Sequence, residues 1–178
     1  AGKLLVLDIG GGSLEIASGI DENPEATLSL PLGAARLTRG FLSGDQYSAK
    51  EVKLLVNHVT ENLKSNLPAI LRSHDANHFV ATSKTFRTLA RLSGYWFNEN
   101  PKYLEITNLK AMTTKLAEMP NKMRSELPGV SASRAQQIVA GAIVAHSVMQ
   151  VLEIDRVEIC PWALREGIVL RRLDWLQG

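Results

Sequence analysis

The chain has 178 residues, of which 45% are hydrophobic and 21% charged, and its formal net charge at pH 7 is +2. This length and composition are typical of one soluble globular domain with a sizeable core, and the chain is too short for two comfortable domains. The near balance of charge disfavours nucleic-acid and membrane binders, and the single cysteine, Cys160, excludes an intrachain disulfide and indicates a reducing, cytoplasmic setting.

The first part of the chain predicts three meandering strands. A continuous apolar run over residues 3–9 is typical of a buried central strand. Residues 13–20 alternate and are expected to pair back on it across a glycine turn, and residues 26–32 form the third strand. Because the chain starts at Ala1 and enters the first strand almost at once, we expect it to be a piece of a longer protein.

Helices then follow, separated by one short strand. Residues 33–42 predict a short helix, and residues 49–66 predict the clearest helix in the chain because apolar residues recur there at helical spacing. Residues 78–83 predict a strand that leads into a helix over residues 84–92.

The second half alternates strands with helices, which indicates an α/β fold. Asn108 is expected to cap the first long helix of this half, and Ser131 or Ser133 the second, which is apolar over most of its surface. The predicted elements are a strand over 103–106, a helix over 109–119, a buried helix over 134–152, a strand over 156–161 and a helix over 163–176.

Three glycines at residues 10–12 follow the end of the first strand, just after Asp8. Such a turn lets backbone N–H groups converge on an anion, because no Cβ blocks the approach and positive φ angles cost little, and Ser13 adds a hydroxyl. Asp8 cannot hold a phosphate directly but can hold a divalent cation, and Glu15, across the turn, can orient or deprotonate a water. The sequence therefore favours a phosphate site over the alternative, a tight hairpin turn.

Basic side chains occur in two short rows. Lys84, Arg87 and Arg91 share one face of their predicted helix and could track a linear polyanion, although a solvated face is the default interpretation for the two arginines. Lys84 is favoured as an anion ligand because it lies at the helix start. Arg36 and Arg39 could line a cleft, with a surface role as the default.

The remaining features favour structural roles. No HExxH, CxxC or GxSxG motif occurs, which argues against metalloprotease, zinc-ribbon and serine-hydrolase chemistry. His74 and His78 have the i, i+4 spacing of a metal pair, but they fall in a predicted loop entering a strand. Gly141 is expected to permit close helix packing. The three aromatic residues at 95–97 are expected to anchor a loop or cover a domain interface.

Five blocks of the sequence resemble the second domain of the Ppx/GppA family of exopolyphosphatases and guanosine pentaphosphate phosphohydrolases. The blocks stand in the family's order, cover nearly the whole chain, and look most like the shorter actinobacterial-type exopolyphosphatases. They are DIGGGSLE at 8–15, LPLGAARLTRGF at 30–41, ATSKTFRTLAR at 81–91, SRAQQIVAGAIVAHSVM at 133–149 and VEICPWALREGIVL at 157–170.

The resemblance implies an actin-like ATPase fold of the ribonuclease H-like type, βββαβαβα, with a central mixed sheet flanked by helices. It implies one domain over 1–178, packed against a similar N-terminal domain with phosphate in the cleft between them. The implied site residues are Asp8 and Glu15 as catalytic residues and Mg²⁺ ligands, and Gly10, Gly11, Gly12, Ser13, Ser83, Lys84, Thr85 and Arg165 as phosphate ligands, with backbone amides of residues 10–13 among the donors.

Three departures from the family pattern matter. Leu14 stands where many members have threonine, and residues 83–85 replace a glycine-rich turn, so Lys84 is expected to substitute for backbone anion binding by its charge. The first domain's own glycine loop and its general-base glutamate have no counterpart in this sequence. The resemblance therefore implies half of an active site.

The expected function follows from this half-site. The complete protein is expected to be a Mg²⁺-dependent exopolyphosphatase releasing terminal phosphate from inorganic polyphosphate, and this chain alone to be inactive. The alternatives are a guanosine pentaphosphate phosphohydrolase, a kinase or chaperone-type ATPase of the same superfold, and a non-catalytic phosphate- or polyphosphate-binding module. The expected partners are the substrate, the N-terminal domain and a second copy in a homodimer, with no nucleic acid and no membrane.

Overall fold

A computed structural model describes residues 3–20 and 23–161, and its centre is a mixed six-stranded sheet. The strands are β1 (Lys3–Ile9), β2 (Leu14–Ile20), β3 (Asn23–Leu30), β4 (His78–Thr82), β5 (Tyr103–Glu105) and β6 (Arg156–Ile159). Their order in the sheet is β3-β2-β1-β4-β6-β5. The first three strands form the predicted antiparallel meander, β4 lies parallel to β1 and to β6, and β5 pairs antiparallel with β6 at the edge.

Helices fill the connections between the strands. No helix of the described residues is both long and apolar enough to cross a bilayer. The helix predicted over residues 163–176 lies outside the described residues. The described helices are α1 (Ala34–Phe41), α2 (Ala49–Asn66), α3 (Ala69–Arg72), α4 (Ser83–Phe97), α5 (Ile106–Glu118), α6 (Asn121–Ser125), α7 (Ala132–Ala135) and α8 (Ile138–Val151).

The core lies between the sheet and α8, which is buried along nearly its whole length, as its apolar sequence predicted. Leu5, Leu7 and Ile9 direct one face of β1 into this core. Because side chains alternate along a strand, Asp8 lies on the other face. A Cβ on Gly141 would lie 2.6 Å from Thr85 Cγ2, so this glycine permits the predicted close packing, here of α8 against α4.

Two predicted helix starts were wrong. The buried helix begins at Ile138 rather than 134, because residues 132–135 form the separate helix α7, and Ser131 occupies the N-cap of that short helix without a side-chain capping bond. The helix expected to start after Asn108 begins at Ile106, and the Asn108 amide instead donates to Ser93 Oγ at 3.1 Å. For Asn108, a tertiary hydrogen bond thus replaces the expected capping bond.

The three aromatic residues at 95–97 belong to a helix, not to a loop. α4 continues past its predicted end at residue 92 to Phe97, and Asn98 ends it in the left-handed conformation, with φ of 57°. Tyr95 is 63% exposed, whereas Trp96 is partly buried beneath the Lys115 ammonium, 4.9 Å from the ring centre. The prediction that this segment anchors a loop was therefore wrong.

A reciprocal capping box begins α2, which has its predicted bounds. Ser48 Oγ accepts a bond from the Glu51 amide, and the Glu51 carboxylate accepts bonds from the amides of Ser48 and Ser43, both at 2.9 Å. Hydrogen bonds from the Ser43 hydroxyl, then from the Ser48 hydroxyl and the two amides, lower the pKa of Glu51 to about 2. The folded state therefore favours the ionised carboxylate.

We expect Glu51→Gln to lower the free energy of unfolding at neutral pH but not in strong acid. An unfolded glutamate has a pKa of about 4.3, so the ionised Glu51 stabilises the fold fully above that pH and loses this contribution as the pH falls towards 2. Urea unfolding of both proteins across that range measures the difference, with Glu61→Gln on the exposed face of α2 as the control. A difference independent of pH would contradict the expectation.

Candidate active site

A cleft of about 610 Å³ opens where β1 and β4 end. It gathers all the site residues predicted from the sequence except Arg165, which lies outside the described residues. The predicted residues in its lining are Asp8, Gly10, Gly11, Gly12, Ser13, Glu15, Ser83, Lys84 and Thr85, and the others are Ile9, Ala34, Arg134, Gln137 and Ile138.

Asp8 and Glu15 form an acidic pair on one wall. They lie directly opposite each other in the β1–β2 ladder, both partly buried, and directly opposed residues have Cβ atoms about 5 Å apart. The Thr82 hydroxyl, on the next strand, donates to Asp8 Oδ2 at 2.7 Å and fixes that carboxylate. Two like charges in opposed positions repel each other, and a cation between them would remove that repulsion.

The acidic pair has the number of protein ligands that a Mg²⁺ site usually has, and too few for a metal site that is closed by protein ligands alone. Within the described residues no group of three or more histidine, cysteine, aspartate or glutamate side chains is placed to hold a metal. Mg²⁺ usually takes one or two carboxylates from the protein and completes its octahedron with water and substrate phosphates. Asp8 and Glu15 supply that number of carboxylates at the edge of an open cleft.

The glycine loop, residues 10–13, presents three backbone amides rather than the expected four. The Gly10 amide donates to Ser13 O at 2.9 Å and so closes the turn. Within the described part of the chain, the amides of Gly11, Gly12 and Ser13 donate to no protein acceptor. A polar ligand in the cleft would satisfy them.

Gly10, Gly11 and Gly12 do not use the positive φ angles that glycine permits, so their backbone conformation does not require glycine. The described glycines with positive φ are Gly44 and Gly129, both elsewhere. A Cβ on Gly12 would meet no atom within 4 Å, and one on Gly10 or Gly11 would make ordinary contacts at 3.6 and 3.7 Å. The fold itself would accept side chains here, and at Gly12 the missing side chain leaves open space.

Helix α1 holds the glycine loop in place by donating hydrogen bonds to the carbonyl groups of the loop. The amides of Ala34 and Arg36 donate to Gly10 O and Gly11 O at 2.9 and 3.0 Å, and Arg36 Nε donates to Gly12 O at 3.0 Å. Arg36 therefore positions the loop, a role its sequence context did not predict. All three glycine carbonyls are occupied on the side of α1.

Gly33 allows this approach of α1 to the loop. A Cβ on Gly33 would lie 2.3 Å from both Gly12 C and Ser13 N, although its own backbone, with φ of −78° and ψ of 149°, suits any residue. Sequence reasoning did not single out Gly33. The available signal was its place at a predicted helix start, within the block at 30–41.

A second wall is the turn from β4 into α4. Ser83 adopts a left-handed conformation with φ of 82°, so the chain makes the turn without the glycine whose absence put backbone binding in doubt. The Thr82 hydroxyl, at the N-cap, is used on Asp8 and makes no capping bond to the helix. Helix α4 begins at the cleft without a side-chain cap from Thr82. The helix dipole favours an anion at this end, and the exposed Lys84 lies beside it.

A third wall carries a cation that sequence reasoning missed. Arg134 of α7 lines the cleft, together with Gln137 and Ile138 at the start of α8. The signal for Arg134 was its position in the family block at 133–149, directly before the buried helix. The cleft thus combines one acidic pair with two cations and three unpaired amides.

Comparison with known proteins assigns the chain to a family. A family model described as the Ppx/GppA phosphatase family matches residues 1–175. The chain belongs to the Ppx/GppA phosphatase family. It is 49% identical over 178 residues to Exopolyphosphatase 1 of Mycobacterium tuberculosis, covering 98% of this chain and 52% of that protein. The predicted likeness to actinobacterial exopolyphosphatases is confirmed.

More distant Ppx/GppA proteins complete the comparison. The chain is 23% identical over 177 residues to the Guanosine-5'-triphosphate,3'-diphosphate pyrophosphatase of Vibrio parahaemolyticus, covering 35% of that protein. It spans about half the length, or less, of these curated relatives.

Solved Ppx/GppA structures share the fold. The crystal structure of the Aquifex aeolicus family member superposes with a TM-score of 0.84 at 27% identity, covering 99% of this chain and 58% of that one. The predicted actin-like ATPase fold is therefore confirmed, with β5 as an added edge strand.

Proposed function

We propose that this chain forms one side of the active site of an exopolyphosphatase, which releases terminal phosphate from inorganic polyphosphate with the help of a divalent cation. The observation that carries the proposal is the acidic pair of Asp8 and Glu15 facing the same cleft as the three unpaired amides of the glycine loop. A terminal phosphate with its bound cation needs both kinds of group. The similarity to a mycobacterial exopolyphosphatase supports this substrate.

Each group has a defined part in this proposal. The amides of Gly11, Gly12 and Ser13 hold the phosphoryl oxygens, and Lys84 and Arg134 offset their charge from the opposite walls. The Ser13 hydroxyl joins these donors, as do Ser83 and Thr85 at the start of α4, and Arg165 stays a predicted ligand outside the described residues.

The acidic pair holds the cation in this proposal. Asp8 and Glu15 bind Mg²⁺, which when present neutralises phosphate charge. Because phosphoryl transfer relies mainly on position and electrostatics, the rate depends on all walls of the cleft being present.

The N-terminal domain supplies the general base and the facing wall. The chain spans 52% of the mycobacterial relative, which leaves room for such a domain in the complete protein. We therefore expect this chain alone to bind phosphate weakly and to hydrolyse little or nothing. A homodimer and a cytoplasmic location stay predictions from the sequence.

Guanosine pentaphosphate is the second candidate substrate, because a distant relative is named for acting on that class of nucleotide. Polyphosphate is favoured by the higher identity to the exopolyphosphatase. In addition, no aromatic side chain occurs among the described residues that line the cleft, so this wall offers a guanine base no aromatic stacking surface.

Phosphate release from long-chain polyphosphate with Mg²⁺ tests the proposal. We would compare this chain, this chain joined to its N-terminal domain, and the joined protein with Glu15→Gln. We expect activity only in the joined protein, and not in the isolated chain. This activity should require the cation and should be reduced by Glu15→Gln. Full activity of the isolated chain would refute the split cleft, activity on guanosine pentaphosphate alone would favour the nucleotide, and binding without hydrolysis would favour a non-catalytic module.

Gly12→Ala separates ligand binding from folding. Because a methyl group at this position meets no atom within 4 Å and the backbone conformation suits alanine, we expect the unfolding free energy to change by less than about 0.5 kcal/mol. The methyl group would stand in the space before the loop, so phosphate affinity should fall about tenfold or more. Calorimetric titration with inorganic phosphate and urea unfolding measure the two effects. Unchanged affinity would place the phosphate elsewhere.

A further inference from the structure

A second groove, of about 350 Å³, lies beside the cleft. Its lining consists of Lys84, Arg87, Thr88, Arg91, Gly129 and Arg134. Lys84 and Arg134 also line the cleft, so the two spaces are neighbours separated by these two side chains.

The groove is strongly basic. Four of its six lining residues are cations and none is acidic. Among the described residues, the ion pairs of the structure involve Lys3 and Arg156, and none of the four groove cations is in such a pair. A concave surface with several uncompensated positive charges attracts an anion that carries several negative charges.

The cations form a line that leads away from the cleft. Lys84, Arg87 and Arg91 lie on one face of α4, and the helix rises about 1.5 Å per residue, so the row extends for about 10 Å from the first turn of α4 at the cleft. The sequence alone favoured a solvated face for the two arginines. Their place in one groove instead fits an extended ligand with charge along its length.

One hydrogen bond fixes an arginine of this row, since Arg87 Nη1 donates to Pro161 O at 2.6 Å. Arg91 lies against Gly129, where a Cβ would be 2.9 Å from Arg91 Cδ and Nη1, and Gly129 itself has a φ of 78°. The positive φ favours glycine at 129, and the missing side chain leaves room for Arg91.

We propose that the groove binds the inner phosphates of a linear polyphosphate whose terminal phosphate lies in the cleft. This inference rests on the proposed function and deepens it, because it makes the groove the part of the protein that distinguishes long substrates from short ones. A short phosphate chain would fill the cleft alone, whereas a long one would also contact Arg87 and Arg91. Each added contact is a charge-assisted interaction and should lower KM.

The test compares two substrates in the joined two-domain protein. Arg87→Gln and Arg91→Gln are assayed with inorganic triphosphate and with long-chain polyphosphate, and Arg39→Gln, an exposed position on α1 that lines neither space, is the matched control. We expect each groove variant to raise KM for the long chain about fivefold, with KM for triphosphate and both kcat values within about twofold of the unsubstituted protein. The control should change neither substrate.

Other outcomes would overturn the inference. Equal losses with both substrates would mean that the arginines contribute only a general field, and unchanged KM values would mean that the chain leaves the cleft by another route. Failure of the unsubstituted protein to hydrolyse either substrate would refute the proposed function instead. In that case calorimetric titration of this chain with long-chain polyphosphate tests whether the groove binds the substrate. Loss of affinity in Arg91→Gln but not in Arg39→Gln would support the inference, and equal affinity in both variants would refute it.

Discussion

Gly33→Ala is expected to destabilise the chain by about 3 kcal/mol, the upper end of the usual cost of overpacking. The added Cβ would lie 2.3 Å from backbone atoms of Gly12 and Ser13, and backbone atoms cannot swing aside as a side chain can. Either α1 or the glycine loop must move, so phosphate binding should be lost along with stability. Urea unfolding and calorimetric titration with phosphate measure both losses.

Gly40→Ala is the matched control on the same helix. A Cβ there meets no atom within 4 Å, and alanine is the better helix former, so we expect a gain of about 0.5–1 kcal/mol. A destabilisation by Gly33→Ala no larger than about 0.5 kcal/mol would show that the loop has room to retreat from α1.

Asp8→Asn is expected to lower kcat of the joined two-domain protein about a hundredfold to a thousandfold, the range seen when one charge-stabilising group is removed from an active site. Asparagine keeps the size of the side chain and an oxygen for the Thr82 hydroxyl, so the fold should be unaffected. The lost charge is the one proposed to hold the cation.

Steady-state assays over a series of Mg²⁺ concentrations test this expectation, with Asp155→Asn on an exposed loop as the control. Recovery of part of the activity at high Mg²⁺ would identify weakened cation binding as the cause. Activity within tenfold of the unsubstituted protein at ordinary Mg²⁺ would remove Asp8 from the proposed site.

Most of the fold could be predicted because its signals are local. The glycine turn between β1 and β2 and the spacing of apolar residues in α2 each occupy one short stretch of sequence, and both were located correctly. The errors fell at helix ends and at the third strand, which was predicted over 26–32 but covers Asn23–Leu30, and the short helices α3 and α6 were not predicted. Asn108 is a good capping residue, but the hydrogen bond that it makes to Ser93 instead depends on another helix. Ser131 lies at an N-cap, but of the short helix α7 and not of the long buried helix.

The candidate site divides in the same way. Asp8 and Glu15 are opposed because a tight turn joins adjacent strands, and such a pairing can be read from their spacing. The roles of Gly33, Arg36 and Arg134 could not be read from spacing, because each acts on or beside a loop that is twenty or more residues away. Their roles depend on which helix packs against which turn.

The contacts of the glycine loop with α1 bear on how fast a ligand can enter and leave. Since Ala34 and Arg36 fix all three glycine carbonyls, the conformational entropy of the loop is lost when the chain folds, not when the anion arrives. Association on this wall should then require no induced fit and proceed at the rate of encounter. In the proposed two-domain protein, any slow opening or closing step would then belong to the movement of one domain against the other.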